Sequence, residues 1–265
     1  MAPWIRGLPR SGLVYHCVDR WSAFQEYDAA HMSACEAEIC REAGLVLASA
    51  EDLAERCRRY RADVHYVPHG VEHDHFARAL GPGDLPADIA GLATPRIGFF
   101  GLIHEWVDIE LIGELADRLS ATFVLIGTAN QDLAALVARP NVHHIGRRPY
   151  ATLPDYCRGF AAAIVPFRIS ELTMSVNPIK LREYAAAGVP VVASNLPEIR
   201  RCGEIARCVS GVEAWEEALR AAIEEGGDPA ARQAQSDRVL SDDWGAVAER
   251  VGALVEASVG QTGPG

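Results

Sequence analysis

The feature that most limits the possible folds is a regular alternation of short apolar runs and amphipathic segments over residues 96–225. Strand-length apolar runs that alternate with helical spacing are typical of a parallel sheet covered on both faces. Six strands in this arrangement predict an α/β fold with a doubly wound, Rossmann-like domain. The predicted strands are 96–101, 122–127, 142–146, 163–167, 189–194 and 205–209, and the predicted helices are 108–120, 132–138, 152–160, 179–188 and 212–225.

The first ninety residues show the same alternation less completely. Their predicted strands are 13–19, 46–50 and 64–70, and their predicted helices are 31–43 and 51–61. Three strands make a poor doubly wound sheet and leave an edge uncovered. The segment 77–96 is rich in glycine, proline and alanine and reads as a linker or hinge. The chain therefore predicts two α/β units in tandem.

Composition excludes several classes of function. A net charge of −11 argues against nucleic acid as the main partner, because phosphate backbones need a basic surface. The longest apolar runs have about strand length, so none is expected to span a bilayer, and the N-terminus lacks the apolar stretch of a signal peptide. Seven cysteines at scattered spacings without a C-x-x-C pair favour a reducing, cytoplasmic location with buried free thiols over disulfides or a zinc site.

The only lysine of the chain, Lys180, lies in the stretch SVNPIKLREYAAAGVPVVAS. Asn177 or Ser175 is expected to cap the helix, and proline suits its first turn. Lys180 and Glu183, three residues apart, then share one helix face. A helix N-terminus at the carboxyl edge of a parallel sheet attracts phosphate, and the Lys180 ammonium adds a compact positive charge there. The Glu183 carboxylate, one turn further along the helix, can accept hydrogen bonds from a ribose diol. The alternative is a solvated Lys–Glu pair at an ordinary helix start.

Five segments, in order, resemble the GT-B nucleotide-sugar glycosyltransferases, in particular retaining family 4 enzymes of the teichuronic-acid-transferase type. The C-terminal signature is NPIKLREYAAAGVPVVAS, and the other segments are 46–76, 95–116, 141–167 and 244–258. The resemblance covers nearly the whole chain from about residue 13. It implies a partial N-terminal acceptor-side domain at 1–78, a linker at 79–95, a complete donor-binding domain at 96–240, and a C-terminal helix at 241–259 that crosses back toward the first domain.

The same resemblance implies roles for individual residues in donor binding. Glu183 falls on the ribose-binding carboxylate and Lys180 on the basic residue near the diphosphate, while the backbone after Gly101, including Leu102, falls on the loop that approaches the phosphates. Many relatives carry a second carboxylate eight positions before Glu183, where this chain has Ser175. The candidate site residues that remain are Glu171 in place of that carboxylate, Asn177 in the same loop, and His104 or Arg168 in place of a basic residue of the phosphate loop.

The resemblance also implies that the early strands of the N-terminal domain are absent. An incomplete gene model, a natural truncation and a split enzyme are the three interpretations. Asp19, at the end of the first predicted strand, is a candidate acceptor contact with a catalytic role, or else caps the next turn. We expect such a chain to bind nucleotide, to transfer sugar poorly or not at all, and to self-associate through the incomplete N-terminal sheet.

The resemblance implies a reaction that moves a sugar from a nucleoside-diphosphate donor to a saccharide or lipid-linked hydroxyl acceptor, with retention and without a cofactor or metal. The alternative is a non-catalytic nucleotide-sugar binder or one subunit of a split enzyme. Two weaker hypotheses are a metal site at the histidines of HGVEHDH (69–75) and a peripheral contact with anionic lipid at the arginines of 56–61. A dinucleotide oxidoreductase is disfavoured because no G-x-G-x-x-G turn is present.

Overall fold

The computed structural model describes residues 7–260, which divide into two compact units. Within these residues, unit 1 comprises 7–69, 170–177 and 244–260, and unit 2 comprises 70–169 and 178–243. Both units are α/β structures with one parallel sheet each.

The described part of the chain contains nine strands and thirteen α-helices. The strands are β1 (Val14–Cys17), β2 (Leu45–Ala48), β3 (His65–Tyr66), β4 (Arg96–Phe100), β5 (Thr122–Ile126), β6 (Val142–Gly146), β7 (Ala162–Val165), β8 (Val191–Ser194) and β9 (Arg207–Val209). The helices are α1 (Ala29–Glu42), α2 (Glu51–Arg58), α3 (His73–Ala77), α4 (Ala87–Ala90), α5 (Ile109–Arg118), α6 (Ala134–Val137), α7 (Leu153–Arg158), α8 (Glu171–Met174), α9 (Ile179–Ala186), α10 (Pro197–Arg201), α11 (Val212–Gly226), α12 (Pro229–Asp237) and α13 (Trp244–Gly260).

The sheet of unit 2 has six parallel strands in the order β6-β5-β4-β7-β8-β9. Every residue of β4, β5, β7 and β8 is buried, as expected for strands covered by helices on both faces. The strand order reverses between β4 and β7. In open α/β sheets, ligands bind at such a reversal, outside the carboxyl ends of the strands. The predicted doubly wound domain is confirmed, and each of its six predicted strands is present.

A buried tyrosine ties α9 to the strand that opens this sheet. Tyr184 is fully buried, and its hydroxyl accepts a hydrogen bond of 2.7 Å from the backbone N–H of Phe100. The two rings lie 4.4 Å apart between centroids. This contact fixes the position of α9, and therefore of Lys180 and Glu183, against the carboxyl end of β4.

Replacing Tyr184 by phenylalanine should lower the free energy of unfolding by about 1–3 kcal/mol, because the Phe100 N–H loses its partner in a buried place. Urea denaturation followed by circular dichroism measures the change. Tyr27→Phe, at an exposed ring, is the matched control and should change stability by less than about 0.5 kcal/mol. Equal stability of the Tyr184→Phe variant and the original chain would contradict the importance of this bond.

Unit 1 contains a smaller parallel sheet in the order β1-β2-β3. Helix α13 packs on one face of this sheet. Its residues Val247, Val251 and Val255 contact Leu45 and Leu47 of β2 and Val67, which follows β3. The predicted C-terminal helix is thus present, and it belongs to the same compact unit as the N-terminal strands. Among the residues that the structure describes, β1 pairs only with β2, and Val14 on it is 43% exposed.

The remaining differences between expectation and structure lie in the connections. Residues 79–95, predicted as a linker, belong to unit 2 and include α4. The segment 170–177, predicted as part of the donor-binding domain, belongs to unit 1. The short helices α3 and α8 were not expected, since five and four residues are too few for a helical repeat of apolar residues to be visible.

Candidate functional site

Two glycines place the loops after β4 and β5 in direct contact. Gly101 and Gly127 follow these strands with φ angles of 139° and 144°, in a region that side chains rarely adopt. The Gly101 N–H donates to the Ile126 carbonyl at 2.9 Å, and a Cβ atom on Gly127 would lie only 1.8 Å from the Gly101 carbonyl oxygen. The backbone after β4 is therefore held close to the carboxyl edge of the sheet, at the point where the strand order reverses.

Lys180, in the first turn of α9, reaches this same backbone. Its Cε and Nζ atoms lie 3.0 and 3.1 Å from the position that a Cβ on Gly101 would take. The ammonium also lies over two aromatic rings, 5.7 Å from the centroid of Phe99 and 5.2 Å from that of Phe167. Such contacts with ring faces hold a cation without neutralising it.

The Lys180 ammonium makes no hydrogen bond or ion pair with any group of residues 7–260. Burial lowers the pKa of Lys180, and the nearby Glu183 charge offsets part of this effect. A positive charge that is partly removed from water and has no hydrogen-bonded or ion-paired carboxylate is an expensive arrangement. The position is therefore suited to an anionic ligand that supplies the missing partner.

Glu183 lies one turn further along α9 and is partly buried. Its burial raises the pKa of the carboxyl to about 7, the Lys180 charge opposes the rise, and the Glu72 charge adds to it. Burial raises the pKa of Tyr150, and the charges of Glu183 and Glu72 add to the rise. Glu72 and Tyr150 thus belong to the electrostatic environment of Glu183, although no sequence pattern singles them out, because they lie far away along the chain.

The N-terminus of α9 has no side-chain cap. The predicted capping by Asn177 or Ser175 is wrong, since Pro178 holds the cap position instead of the first turn. Both side chains bond within unit 1: Ser175 Oγ donates to the Asp52 carboxylate, and Asn177 Nδ2 donates to the Ser49 carbonyl at 2.9 Å. The first N–H groups of α9 consequently receive no capping oxygen from these residues, which leaves the helix terminus suited to an anion.

The other predicted donor residues of unit 2 are distributed around the loop after β4. Leu102 is exposed, and the ring of His104 stacks on Trp106 with centroids 4.3 Å apart. Arg168 forms ion pairs with Asp108 and Glu110 at the start of α5. The arginine charge is therefore balanced by carboxylates, unlike that of Lys180, which makes Arg168 the weaker candidate for a phosphate contact.

Two more predicted site residues, Glu171 and Asp19, lie in unit 1. Glu171 pairs with Arg20 at 3.1 Å, in the same segment as Ser175 and Asn177. Asp19 follows β1 and is partly buried, which raises the pKa of its carboxyl. Its backbone carbonyl accepts the N–H of Trp21 at 3.1 Å, so this residue also forms the turn that begins after the strand.

The histidines of 69–75 have other partners. His73 is buried, and its Nε2 lies 3.1 Å from the Ser236 hydroxyl oxygen. His75 stacks on Tyr150, with ring centroids 4.8 Å apart and an angle of 11° between the planes. These contacts account for both side chains without a metal ion.

Within residues 7–260, no helix combines the length and the apolar character that crossing a membrane requires.

The comparison with protein families agrees with the position of this site. Residues 94–225, which run from just before β4 to within α11, match the family described as Glycosyl transferases group 1. A curated relative, the putative teichuronic acid biosynthesis glycosyltransferase TuaH of Bacillus subtilis (strain 168), is 28% identical over 202 residues. This alignment covers 70% of the chain and 51% of the relative, so the chain spans about half of the length of that protein.

Solved glycosyltransferase structures have the same fold at low sequence identity. The structure of HepE from Anabaena, in complex with UDP and glucose, has a TM-score of 0.71 and 16% identity, and the match covers 97% of this chain and 73% of that one. Sucrose-phosphate synthase from Thermosynechococcus elongatus has a TM-score of 0.75 and 18% identity, with 98% and 71% covered. Residues 94–225 therefore match a glycosyltransferase family, and the described residues have the fold of solved GT-B structures.

Proposed function

We propose that the chain binds a nucleoside-diphosphate sugar and transfers the sugar to a hydroxyl acceptor during synthesis of a cell-envelope polysaccharide or glycolipid. The observation that carries the proposal is the unpaired ammonium of Lys180 beside Gly101, at the point where the strand order reverses. The role of TuaH in teichuronic acid biosynthesis supports the envelope polysaccharide, and the complex of HepE with UDP and glucose supports a UDP-sugar donor.

In this proposal the protein acts mainly on the leaving diphosphate. Lys180, the N–H groups at the start of α9 and the backbone after Gly101 stabilise the negative charge that develops as the bond to the sugar breaks. Glu183 accepts hydrogen bonds from the ribose hydroxyls and fixes the orientation of the nucleotide. No protein nucleophile is required, and we propose that the configuration at the anomeric carbon is retained.

The acceptor side of the proposal is supported by fewer contacts. Asp19 is proposed to contact the acceptor hydroxyl because it follows the carboxyl end of β1. A peripheral contact with anionic lipid has less support, since several arginines of 56–61 already have partners. Arg56 pairs with Glu36, and Arg58 pairs with Glu51 at 2.6 Å.

Calorimetric titration of the purified chain with UDP, GDP and ADP tests the binding part of this proposal. We expect UDP to bind most tightly and its affinity to fall when Lys180 is replaced. Sugar transfer from the matching donor is then measured with candidate acceptors, and NMR of the product reports the anomeric configuration. Nucleotide binding without transfer would favour the alternative of a non-catalytic binder or one subunit of a split enzyme, whereas failure of all three nucleotides to bind would contradict the proposal.

A pH dependence of donor affinity follows from the position of Glu183. Its carboxyl has a pKa raised to about 7, so it is protonated below neutral pH and ionised above it. Only the ionised form accepts two hydrogen bonds from a diol without competition from its own proton. The affinity for UDP-glucose should therefore rise between about pH 6 and about pH 8, and Glu183→Gln should abolish the rise.

UDP-glucose is the suitable probe because its diphosphate is esterified at both ends and does not itself take up a proton in this range. At higher pH the affinity should fall again, since the pKa of Lys180 is lowered by burial and the ammonium loses its charge. A flat profile in the original chain, or an unchanged slope in Glu183→Gln, would remove Glu183 from the ribose contact.

A further inference from the structure

A second cluster of reactive side chains lies in unit 1, in a different unit from Lys180 and Gly101. Cys17 ends β1, Glu36 lies on α1, and Cys57 lies on α2. The two thiol sulfurs and a carboxylate oxygen of Glu36 all lie within 4.8 Å of one another. The thiol of Cys17 points at Glu36 Oε1, at 3.5 Å, and both cysteines are at most 1% exposed.

The surroundings of the cluster are apolar on one side and polar only at the carboxylate. Leu53, Val46 and Ala50 belong to the same buried core as the two cysteines. Glu36 receives two further contacts: the Tyr15 hydroxyl donates to Oε1 at 3.4 Å, and the Arg56 guanidinium lies 3.3 Å from Oε2. The oxygen that faces the sulfurs and the oxygen that faces the arginine are therefore different atoms of one carboxylate.

A third thiol is adjacent to these residues. Cys40, on α1, is fully buried and contributes to the raised pKa of Cys57. Three cysteines and one glutamate from three separate elements thus meet in the interior of a sheet-and-helix unit. Hydrophobic packing alone does not require a carboxylate here, since burying one without strong compensation is costly.

We propose that Cys17, Cys57 and Glu36 form a structural site for a soft divalent cation of the zinc class, with Cys40 or a water molecule as the fourth ligand. Zinc bonds of about 2.3 Å to sulfur and about 2.0 Å to oxygen place tetrahedral ligand atoms roughly 3.5–3.8 Å apart. The separation of Cys17 Sγ and Glu36 Oε1, 3.5 Å, already has this value. The other separations among Cys17, Glu36 and Cys57 are at most 4.8 Å and reach this value with a contraction of about 1 Å.

With a water molecule as the fourth ligand, the charges of such a site balance. On binding, each of the two thiols loses its proton to solvent, so the two thiolates and the carboxylate carry three negative charges. A divalent cation and the guanidinium of Arg56 together carry three positive charges, and the buried site becomes neutral. Arg56 would then hold the outer oxygen of Glu36 in place, in the manner of partners that orient metal ligands from outside the coordination sphere.

An opening next to Glu36 provides a path for the ion. A cavity of about 350 Å³ is lined by Glu36 and Tyr15 together with Trp21, Ser22 and Cys35. It reaches the carboxylate without passing through the close-packed core of β1 and β2. The site therefore has the ligand types, the spacing, the outer partner and the entry that a metal site needs.

Metal analysis of the full chain tests this proposal. The reduced protein is freed of metal with a chelator, incubated with zinc or cadmium, separated by gel filtration and assayed for bound ion. We expect about one equivalent, released as pH falls because the thiols regain their protons. Cadmium NMR of the unmodified chain should report two or three coordinating sulfurs. Absence of bound metal, or a signal with one sulfur or none, would overturn the proposal.

Variants locate the ion within the chain. Cys17→Ala and Glu36→Gln should each weaken zinc binding by at least about tenfold, the loss that even outer partners of a metal produce. Cys202→Ala and Cys208→Ala, at partly exposed cysteines of unit 2, are the matched controls and should leave the affinity unchanged. Circular dichroism checks that each variant folds. If a variant does not fold, cadmium NMR of the unmodified chain still tests whether the sulfurs coordinate the ion. Full zinc binding by folded Cys17→Ala would refute the assignment.

Discussion

Replacing Lys180 by methionine should weaken UDP binding by about 10- to 150-fold, the equivalent of about 1.5–3 kcal/mol for a hydrogen bond to a charged group. The methionine keeps the length of the side chain beside Phe99 and Phe167 but removes the only cation that lies against Gly101 in the described site. Titration calorimetry at fixed salt measures the loss. Stability should be unchanged or higher, because the desolvated ammonium is an unfavourable group in the empty site.

Two controls distinguish the effect of the Lys180 ammonium on UDP binding from the effect of removing any other positive charge. Arg220→Met removes an exposed cation of unit 2 that pairs with Glu216, and it should leave UDP affinity unaltered. Lys180→Arg keeps the charge but replaces a compact ammonium by a longer, planar guanidinium, and the lysine Cε already lies 3.0 Å from the place of a Cβ on Gly101. It should therefore fail to restore binding. Wild-type affinity in Lys180→Met would exclude Lys180 from the diphosphate contact.

Replacing Gly127 by alanine should lower the free energy of unfolding by more than about 3 kcal/mol and also weaken nucleotide binding. The new Cβ atom would lie 1.8 Å from the Gly101 carbonyl oxygen, which is backbone and has no alternative rotamer. The loop after β4 must move or the strand must distort. Urea denaturation gives the loss of stability, and calorimetry with UDP reports the displacement of the loop.

Gly203→Ala is the control for backbone conformation without a clash. Gly203 also has a positive φ, 61°, but nothing lies within 4 Å of the place where its Cβ would be. Its replacement should cost about 1–2 kcal/mol, from the left-handed conformation alone. Similar losses for the two variants would mean that the close approach of Gly101 and Gly127 is not needed for the fold.

The sequence pattern predicts unit 2 well because its signal is local and repeated. Each strand of the six is a short apolar run, and the helical spacing between the runs favours a parallel sheet that buries them all. The position of Lys180 follows from the same pattern, since a residue at the start of a helix that precedes an interior strand lies at the carboxyl edge of the sheet. The family resemblance then predicts that this edge binds the donor nucleotide.

The prediction of the helix cap was wrong for a physical reason: contacts with residues that are distant along the chain compete with the local capping bonds. Ser175 and Asn177 have the side chains of helix caps, yet Asp52 and Ser49 bind them in unit 1. A local capping preference of about 1 kcal/mol does not outweigh buried hydrogen bonds of this kind.

The cluster of unit 1 was unpredictable for the same reason. Glu36 lies 19 residues after Cys17 and 21 residues before Cys57, and these spacings do not resemble a metal motif. Only the folding of β1, α1 and α2 into one unit brings their reactive atoms within 4.8 Å. The expectation of buried free thiols holds for Cys17 and Cys57 in this structure, while their proximity was invisible in the sequence.

The interleaving of the two units along the chain has a consequence for biosynthesis. Unit 2 is complete once residue 243 has left the ribosome, whereas unit 1 still lacks α13, which covers the face of its sheet formed by Leu45, Leu47 and Val67. At roughly 5–20 residues per second, the nearly two hundred residues between that sheet and α13 leave this apolar face open for about 10–40 s during synthesis. Nascent chains are therefore expected to engage chaperones through their earliest strands, and slowing translation should increase aggregation.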